Sequence, residues 1–484
     1  MATIYHEVKG RYIDSVLLMQ ITRELEQEEG VNEAAVMSAT SENLEIFESI
    51  GFIPPKDVES SSILIAVEAD DEETASNTVD EALDLMNRKT ESSDEENYTL
   101  DDLESLKEES DFPLLYISTP GKYVEDIARK GLDAGVNLHI FSSNVPIETE
   151  LELKKLGHEK NLLVLGPDAG TTIVQGQGIG FANVIRDGSV GIAGSSGTGI
   201  QELTVLLDKG GLGISAALGV GTNDFTKEVD AIMTRQGIEL LSDSEVIMIV
   251  AKKPDSKVMK DVIKLLSDRP SAFVALGDNE SYTEGKTLVT GYLDDAVNYI
   301  LEQVGKKPLA KPEVKMDFDL KGRKFVRGMF VGGSLCYQAQ AILKKNGIDI
   351  YSNAPLDEKH LVNEKWDDLN VCIDTGAEEY VQGRPHPMID PRLRNEMILD
   401  ESKKDDVAVI LFDVMLGYGS AMDPLDGLDN IPEGPVLVAS ITGTTNDPQD
   451  YDKVEKGLKN LGVKVFTSAQ QAAEFAAKVL EGTK

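Results

Sequence analysis

The sequence predicts an α/β protein built mainly on parallel sheets, with a small α+β domain before them. From residue 112 onward, short apolar segments alternate with helix-like segments, and small-residue turns follow several of the apolar ones. Apolar strands between helices are typical of a parallel sheet covered on both faces. The first 90 residues differ, because their elements are more mixed in polarity and an acidic stretch follows them. We therefore expect two doubly wound parallel-sheet domains and a smaller N-terminal domain.

The elements of the N-terminal domain follow from hydrophobic spacing. Residues 12–18 are apolar and β-rich and predict a strand, and residues 21–28 predict a helix. The other predicted elements are strands at residues 34–37 and 62–67 and helices at residues 42–50 and 73–86. Together they predict an α+β domain over residues 1–90.

Two segments of unusual composition predict domain boundaries. Residues 91–110 are rich in Asp, Glu and Ser and predict an acidic linker, because such a segment cannot bury itself. Residues 305–324 are rich in Pro and Lys and predict a second linker. The remaining domains are then expected at residues 111–182, 183–304 and 325–484. Their predicted strands lie at residues 114–118, 137–141, 161–165, 189–193, 213–218, 246–250, 272–275, 328–331, 371–373, 406–412, 436–440 and 464–466.

The charge balance limits the partners. The chain has 47 Lys and Arg against 85 Asp and Glu, which gives a net charge of −38. Such a surface repels phosphate backbones and anionic lipids, so we expect no nucleic-acid and no membrane-surface binding. No segment approaches the roughly 20 apolar residues that span a bilayer. Small anionic metabolites are the expected ligands.

Cysteine and histidine content indicates the compartment and excludes some chemistry. Two cysteines in 484 residues indicate a reducing compartment, and the first residues are charged where a signal peptide is apolar, so a cytoplasmic location is expected. Five histidines without a CxxC or HExxH motif predict no metal site. Cys336 could be a nucleophile at a helix start, although a small buried residue is the simpler interpretation.

The strongest local motif is a small-residue turn at residues 191–202, between an apolar strand and a helix. Glycines let a backbone approach a ligand closely, and free N–H groups at a helix start favour an anion. The alternative is a tight turn in which Ser or Thr caps the helix. The candidate phosphate-binding residues of this turn are Gly194, Ser195, Ser196, Gly197 and Thr198.

Similar turns follow other predicted strands. They lie at residues 166–172, 219–224, 330–336 and 442–448. Ligands of open α/β sheets gather beyond the carboxyl ends of the strands, so at least one of these turns is expected to bind a ligand. The candidates taken from them are Gly332, Gly333, Ser334 and Thr444.

A basic, proline-rich segment, GRPHPMIDPRLR at residues 383–394, stands out in this acidic chain. Arginine presents paired donors that suit a carboxylate or a phosphate. We therefore predict that Arg384, Arg392 and Arg394 hold an anionic substrate and that His386 transfers a proton or accepts a phosphoryl group. The alternative is a rigid loop whose arginines pair with the chain's own carboxylates.

These motifs resemble a known family. Residues 114–304 resemble the succinyl-CoA synthetase α-subunit, with residues 112–146 similar to the second half of its Rossmann-like CoA-binding domain. Residues 325–484 resemble the flavodoxin-like ligase domain of the β-subunit. The chain as a whole is similar to the FdrA family, which fuses these parts. The motifs that carry this resemblance are residues 12–16, 142–146 (which include the further candidate Asn144), 166–171, 194–202, 332–336, 383–394, 413–419 and 442–448.

Two departures limit what the resemblance implies. The early glycine turn that holds CoA in the synthetase has no counterpart in residues 1–90, so CoA binding is open and no cofactor is assigned. The synthetase also passes phosphate through a histidine, but no histidine lies between His158 and His360. A phosphohistidine relay would therefore need His386.

The FdrA resemblance implies a role in purine and allantoin catabolism, as an oxamate carbamoyltransferase subunit. Carbamoyl phosphate and oxamate are small anions that suit glycine turns and arginines. Two alternatives stay open. One is an ADP- or GDP-forming acyl-CoA synthetase with a phosphorylated His386, and the other is a non-catalytic scaffold. A hetero-complex with other catabolic subunits or a homo-oligomer is expected.

Overall fold

The computed structural model of the chain describes residues 1–481 except residues 10, 12, 14, 29, 57, 60, 61, 92–99, 101, 102, 108, 109, 111, 267, 279, 313, 315–317, 363, 364, 382, 383 and 430. Much of the linker predicted at residues 91–110 and Gly383 of the basic segment therefore lie outside the described residues. The chain divides into two compact units, residues 1–98 with 382–385 and residues 99–381 with 386–484. The finer boundaries within the second unit stay a prediction.

The first unit is a small α+β domain with a three-stranded antiparallel sheet in the order β1-β3-β2. Its elements are β1 (Ala2–Val8), α1 (Ser15–Leu25), β2 (Val31–Ser38), α2 (Ser41–Ser49), β3 (Ile63–Ala69) and α3 (Glu72–Glu91). The central strand β3 is apolar because both of its faces are covered. Ile65 and Val67 pack in the core of α1 and α3, whereas Leu64 and Ala66 pack with Phe47 of α2.

The strand predicted at residues 12–18 is wrong, because a helix begins at Ser15. Leu18, Ile21 and Leu25 are buried at helical spacing, and this period decides the structure over the local β-propensity. The strand Ala2–Val8 was not predicted, since polar residues alternate irregularly along it.

The second unit begins with a three-stranded parallel sheet in the order β4-β5-β6. Its elements, with a preceding short helix, are α4 (Leu103–Leu106), β4 (Leu114–Ile117), α5 (Val124–Ala134), β5 (Asn137–Ile140), α6 (Ile147–Glu159) and β6 (Val164–Leu165).

An eight-stranded sheet follows, in the order β13-β14-β12-β11-β9-β10-β7-β8. Its elements are β7 (Thr171–Val174), β8 (Gln177–Gly180), β9 (Asp187–Gly194), α7 (Gly197–Lys209), β10 (Ile214–Gly219), α8 (Ile232–Leu240), β11 (Val246–Lys252), α9 (Ser256–Leu266), β12 (Ser271–Leu276), β13 (Tyr282–Glu284), β14 (Thr287–Thr290) and α10 (Leu293–Gln303). The strands β14, β12, β11, β9 and β10 are parallel. The antiparallel hairpin β7-β8 was not predicted, and it turns at Gln175 and Gly176, both with positive φ.

The last sheet has six parallel strands in the order β16-β17-β15-β18-β19-β20. Its elements are β15 (Phe325–Phe330), α11 (Gly333–Lys345), β16 (Ile350–Tyr351), β17 (Asn370–Asp374), α12 (Glu378–Val381), α13 (Arg392–Ser402), β18 (Val407–Met415), β19 (Val436–Thr442), α14 (Tyr451–Asn460), β20 (Lys464–Phe466) and α15 (Ala469–Glu481). The mixed α/β class with parallel sheets and a small N-terminal domain is confirmed.

One apolar core joins the last two sheets. We call residues 183–304 the first half and residues 325–481 the second half. Side chains of α7 and α10 pack there with side chains of α11 and α15. The predicted linker contributes to this core, because Leu309, Phe318 and Leu320 pack against it. None of the described helices is both long and apolar enough to cross a membrane.

Candidate functional site

Two of the predicted turns meet where the two halves pack. The hydroxyl of Ser196, just before α7, lies 2.6 Å from the hydroxyl of Ser334, in the first turn of α11. A Cβ on Gly332 would lie 3.2 Å from the side chain of Thr198, so the two turns are in close contact. The positive ends of two helices therefore converge at one point.

The first of these helix starts is capped by its own turn. The Ser196 hydroxyl accepts a hydrogen bond from the backbone N–H of Gly199 at 3.0 Å. Gly194 has no room for a side chain, because a Cβ there would lie 2.6 Å from Val250. Ser195 is buried, and its hydroxyl has no hydrogen-bond partner among the described residues. A buried hydroxyl at a helix start is suited to a ligand.

The turn that precedes the second helix is held by a residue of a neighbouring strand. The carboxylate of Asp413, in β18, accepts hydrogen bonds from the backbone N–H groups of Val331 and Gly332, both at 2.8 Å. Burial raises the pKa of Asp413 from 3.8 to about 6, while Arg394 and these hydrogen bonds act in the opposite direction. The N–H groups of Gly333 and Ser334, the first two residues of α11, do not bond to this carboxylate.

His386 lies beside the second helix start. Its Nδ1 accepts a hydrogen bond from the backbone N–H of Met388 at 3.2 Å, which assigns the proton of the neutral ring to Nε2. A Cβ on Gly376 would lie 2.6 Å from Nε2, and the Gly376 N–H donates to Asp374 Oδ1. Burial lowers the pKa of His386 from 6.5 to about 4, so the imidazole is neutral at pH 7.

Two arginines of the basic segment, Arg392 and Arg394, contact the chain's own carboxylates. Arg392 forms an ion pair with Asp390, at 2.6 Å between Nη2 and Oδ2. Arg394 is buried, donates to the backbone carbonyl of Asp413 and lies 3.8 Å from its carboxylate. Arg384 is exposed and belongs to the first compact unit. The contacts of Arg392 and Arg394 agree with the alternative interpretation, in which the arginines pair with the chain's own carboxylates. They do not support a substrate clamp.

Two further candidates lie apart from the helix starts or are already bonded. The Thr444 hydroxyl donates to the backbone carbonyl of Val184 at 2.8 Å, and its N–H donates to Asp447. Asn144 is exposed, and its backbone carbonyl lies against Gly121. Neither contact includes a helix start.

Sequence reasoning missed two charged residues here. Asp374, at the end of β17, lies against the second helix start, since its Oδ2 leaves no room for a Cβ on Gly333. Lys252, the last residue of β11, lies with its ammonium 5.1 Å from the ring centre of Tyr337 in α11. The signal for Lys252 in the sequence was its position, since it is the first charged residue at the end of a buried apolar strand.

Cys336 fits the simpler interpretation. It is fully buried in α11, and burial raises the pKa of its thiol well above the ordinary value. A thiol that stays protonated is a poor nucleophile.

A cavity of about 490 Å³ lies elsewhere in the second half. Its walls are formed by residues 422–429 and by side chains between residues 449 and 461. It includes none of the predicted site residues. A single pocket shared by the helix starts and the basic segment therefore stays a prediction.

Comparison with known proteins gives two family matches. A model described as the AllF heavy metal-associated domain matches residues 1–100, and a model described as CoA-ligase matches residues 329–479. Residues 1–100 hold no cysteine and one histidine, His6, and no cluster of metal-ligating side chains occurs in the described part of the chain. The residues present therefore do not fit a heavy-metal site.

Individual relatives cover different shares of the chain. The subunit alpha 2 of the ADP-forming succinate–CoA ligase of Archaeoglobus fulgidus is 25% identical over 36% of this chain, which spans 63% of that protein. The dinucleotide-forming acetyl-coenzyme A synthetase 1 of Ca. Korarchaeum cryptofilum covers 77% of this chain, with 82% of its own chain matched, at 16% identity and a TM-score of 0.32, too weak a likeness for any argument.

YahF of Escherichia coli (strain K12) matches nearly the whole chain. The two proteins are 30% identical over 96% of this chain and 97% of YahF. The chain therefore belongs to the same family as YahF, within the succinyl-CoA synthetase-like superfamily, and it combines an AllF-type N-terminal domain with a CoA-ligase domain.

Proposed function

We propose that this chain is an FdrA-like carbamoyltransferase subunit, which moves a carbamoyl group between an oxamate-type acid and phosphate. The observation that carries the proposal is the contact between Ser196 and Ser334, which brings two helix starts together.

The helix starts supply the phosphate site in this proposal. Among the described residues, the N–H groups at positions 197–198 and 333–334 have no hydrogen-bond acceptor. Free N–H groups at a helix start bind phosphate through hydrogen bonds and the helix dipole. The unpartnered hydroxyl of Ser195 adds a donor at the same turn.

The reaction needs no covalent enzyme intermediate. An oxygen of hydrogen phosphate attacks the carbamoyl carbon of an N-carbamoylated oxamate, the C–N bond breaks, and the oxamate nitrogen leaves with the proton that the phosphate loses. The reverse reaction carbamoylates oxamate from carbamoyl phosphate and releases phosphate. Negative charge develops on the carbonyl oxygen, where fixed hydrogen-bond donors are most effective. A neutral His386 would donate its Nε2–H to this oxygen.

The CoA-ligase match supports a second candidate, an acyl-CoA synthetase with a phosphorylated histidine. Attack by Nε2 of His386 would require the ring proton on Nδ1, which faces the N–H of Met388 at 3.2 Å. Two donors would then point at each other. The geometry of His386 therefore favours carbamoyl transfer, and no step of the proposed reaction uses CoA.

The experiment is a carbamoyl-transfer assay with oxamate and carbamoyl phosphate, for the chain alone and with co-expressed partner subunits, following phosphate release. We expect His386→Gln to lower kcat/KM by about 10²-fold, because one hydrogen bond to the transition state is lost. His158→Gln, at an exposed histidine, is the control. An assembled complex that releases no phosphate from carbamoyl phosphate in the presence of oxamate would contradict the proposal.

The second candidate has its own test. Incubation with labelled ATP should leave no acid-labile phosphate on the chain. Labelling that disappears in His386→Gln and persists in His158→Gln would establish the acyl-CoA synthetase instead.

The pH profile gives a further prediction. Because the pKa of His386 is about 4, its ring stays neutral from pH 8 down to about pH 5. We therefore expect the wild type and His386→Gln to have pH profiles of kcat/KM with the same shape near pH 6.5. A loss seen in the wild type but absent from His386→Gln would contradict this expectation. Such a loss would show that the ring titrates as an exposed imidazole.

A further inference from the structure

The strand order of the first half marks a crevice that the sequence analysis did not identify. Its parallel strands run in the order β10-β9-β11-β12-β14. The connection after β9 leads to β10 at one edge of these strands, whereas the connection after β11 leads to β12 in the opposite direction along the sheet. Ligands of open α/β sheets bind outside the carboxyl ends of the strands at such a switch point. β9 leads into the turn of Ser195 and Ser196, and β11 ends at Lys252.

Lys252 is near residues that contact both helix starts. Two residues before it, the carbonyl of Val250 accepts the N–H of Ser195 at 3.0 Å, and the Val250 side chain packs on Gly194. Alternate residues of a strand share a face, which puts position 252 on the side of that turn. Its ammonium lies over Tyr337, which is one helical turn after Ser334.

The charges around Lys252 make its role specific. Burial raises the pKa of Asp168 and of Asp374, and Lys252 is the cation that acts against this rise for both carboxyls. Asp374 also lies against Gly333 of the second helix start. A doubly charged anion would be repelled by these carboxylates unless a cation stood beside it.

We propose that Lys252 is the specificity-determining cation of this site, and that it binds the phosphoryl group of phosphate or an acyl phosphate where the two helix starts meet. The inference rests on the proposed function only in placing phosphate at these helix starts. In this inference Lys252, rather than Arg392 or Arg394, supplies the positive charge that binds the anion.

The experiment measures binding rather than turnover. Inorganic phosphate, a dianion at pH 8, and methanesulfonate, a monoanion of similar shape, are titrated calorimetrically into the full chain. We expect Lys252→Met to weaken phosphate binding by at least about tenfold and methanesulfonate binding by less. Lys252→Arg should restore phosphate binding to within about threefold, because it keeps the charge. Lys257→Met, at an exposed lysine paired with Asp261, is the matched control and should change neither.

The outcomes separate this inference from the proposed function. Phosphate binding by Lys252→Met within about twofold of the wild type would overturn it, as would equal losses for both anions or no phosphate binding by the wild-type chain. Thermal unfolding of Lys252→Met and Lys252→Arg verifies that both are folded. If phosphate binding depends on Lys252 but the assembled complex transfers no carbamoyl group, the proposed function fails and this inference stands.

Discussion

The two halves of the second unit solve the same structural problem with different residues. The parallel strands run in the order β10-β9-β11-β12-β14 in the first half and β16-β17-β15-β18-β19-β20 in the second half. In each half the first of these strands along the chain, β9 or β15, leads into a thirteen-residue helix, α7 or α11. The sixth residue of each helix accepts the first N–H of a helix in the other half. Glu202 accepts from Ala469 at 2.7 Å, and Gln338 accepts from Leu293 at 2.9 Å.

The difference lies in how each helix begins. The start of α7 is capped by the hydroxyl of Ser196, from its own turn. The turn before α11 contains Gly332 instead, and the carboxylate of Asp413 comes from β18 to accept its N–H groups. One start therefore depends on local sequence and the other on tertiary structure. This contrast predicts that the second half is the more sensitive to a single substitution.

The largest expected effect is that of Asp413→Ala. This change removes the acceptor of two buried N–H groups and leaves the buried guanidinium of Arg394 without its carboxylate. We expect the free energy of unfolding in urea to fall by about 3–5 kcal/mol. Asp413→Asn should lose less, because an amide oxygen can still accept one of the N–H groups.

Asp390→Ala is the matched control for Asp413→Ala. It removes the ion pair of Arg392, which is partly exposed, and should cost at most about 1 kcal/mol. Equal losses for the two variants would mean that the contact from β18 to the turn before α11 contributes little and that the two helix starts are not different.

The next effect concerns Glu202 and Gln338, the matching sixth residues. Burial is the main reason why the pKa of Glu202 rises from 4.5 to about 7, although Thr442 and the N–H of Ala469 donate to its carboxylate. The folded state thus holds a proton that the unfolded state releases, so stability falls as the pH rises from 4.5 to 7. We expect Glu202→Gln to remove this fall and to stabilise the chain by roughly 1–3 kcal/mol at pH 8.

Gln338→Glu is the reverse experiment. It places a carboxylate at the matching position of the second half and should destabilise the chain at pH 8, with less effect at pH 5. Urea unfolding at both pH values measures each variant. If Glu202→Gln had the same effect at pH 5 and pH 8, the carboxyl would not titrate in this range.

The same contrast explains what the sequence could predict. Strands such as Val246–Lys252 and Val436–Thr442 were predictable because each begins with a run of apolar residues and is bounded by turns. Ser196 was predictable as a cap or a ligand because its signal is local. The role of Asp413 was not, since it depends on a contact across more than 80 positions. The contact of Arg394 with Asp413, 19 positions away, was not predictable for the same reason, and the substrate clamp of Arg384, Arg392 and Arg394 stays a prediction.

The smallest expected effect compares the two hydroxyls that meet between the halves. Ser196→Ala removes the cap of α7 and the partner of Ser334, and we expect a loss of about 1 kcal/mol. Ser334→Ala leaves the bond between Ser196 and the Gly199 N–H intact, so the loss should be about half as large. Thermal unfolding at pH 8 resolves the two. A larger loss for Ser334→Ala would show that the contact between the halves, rather than the local cap, holds this point together.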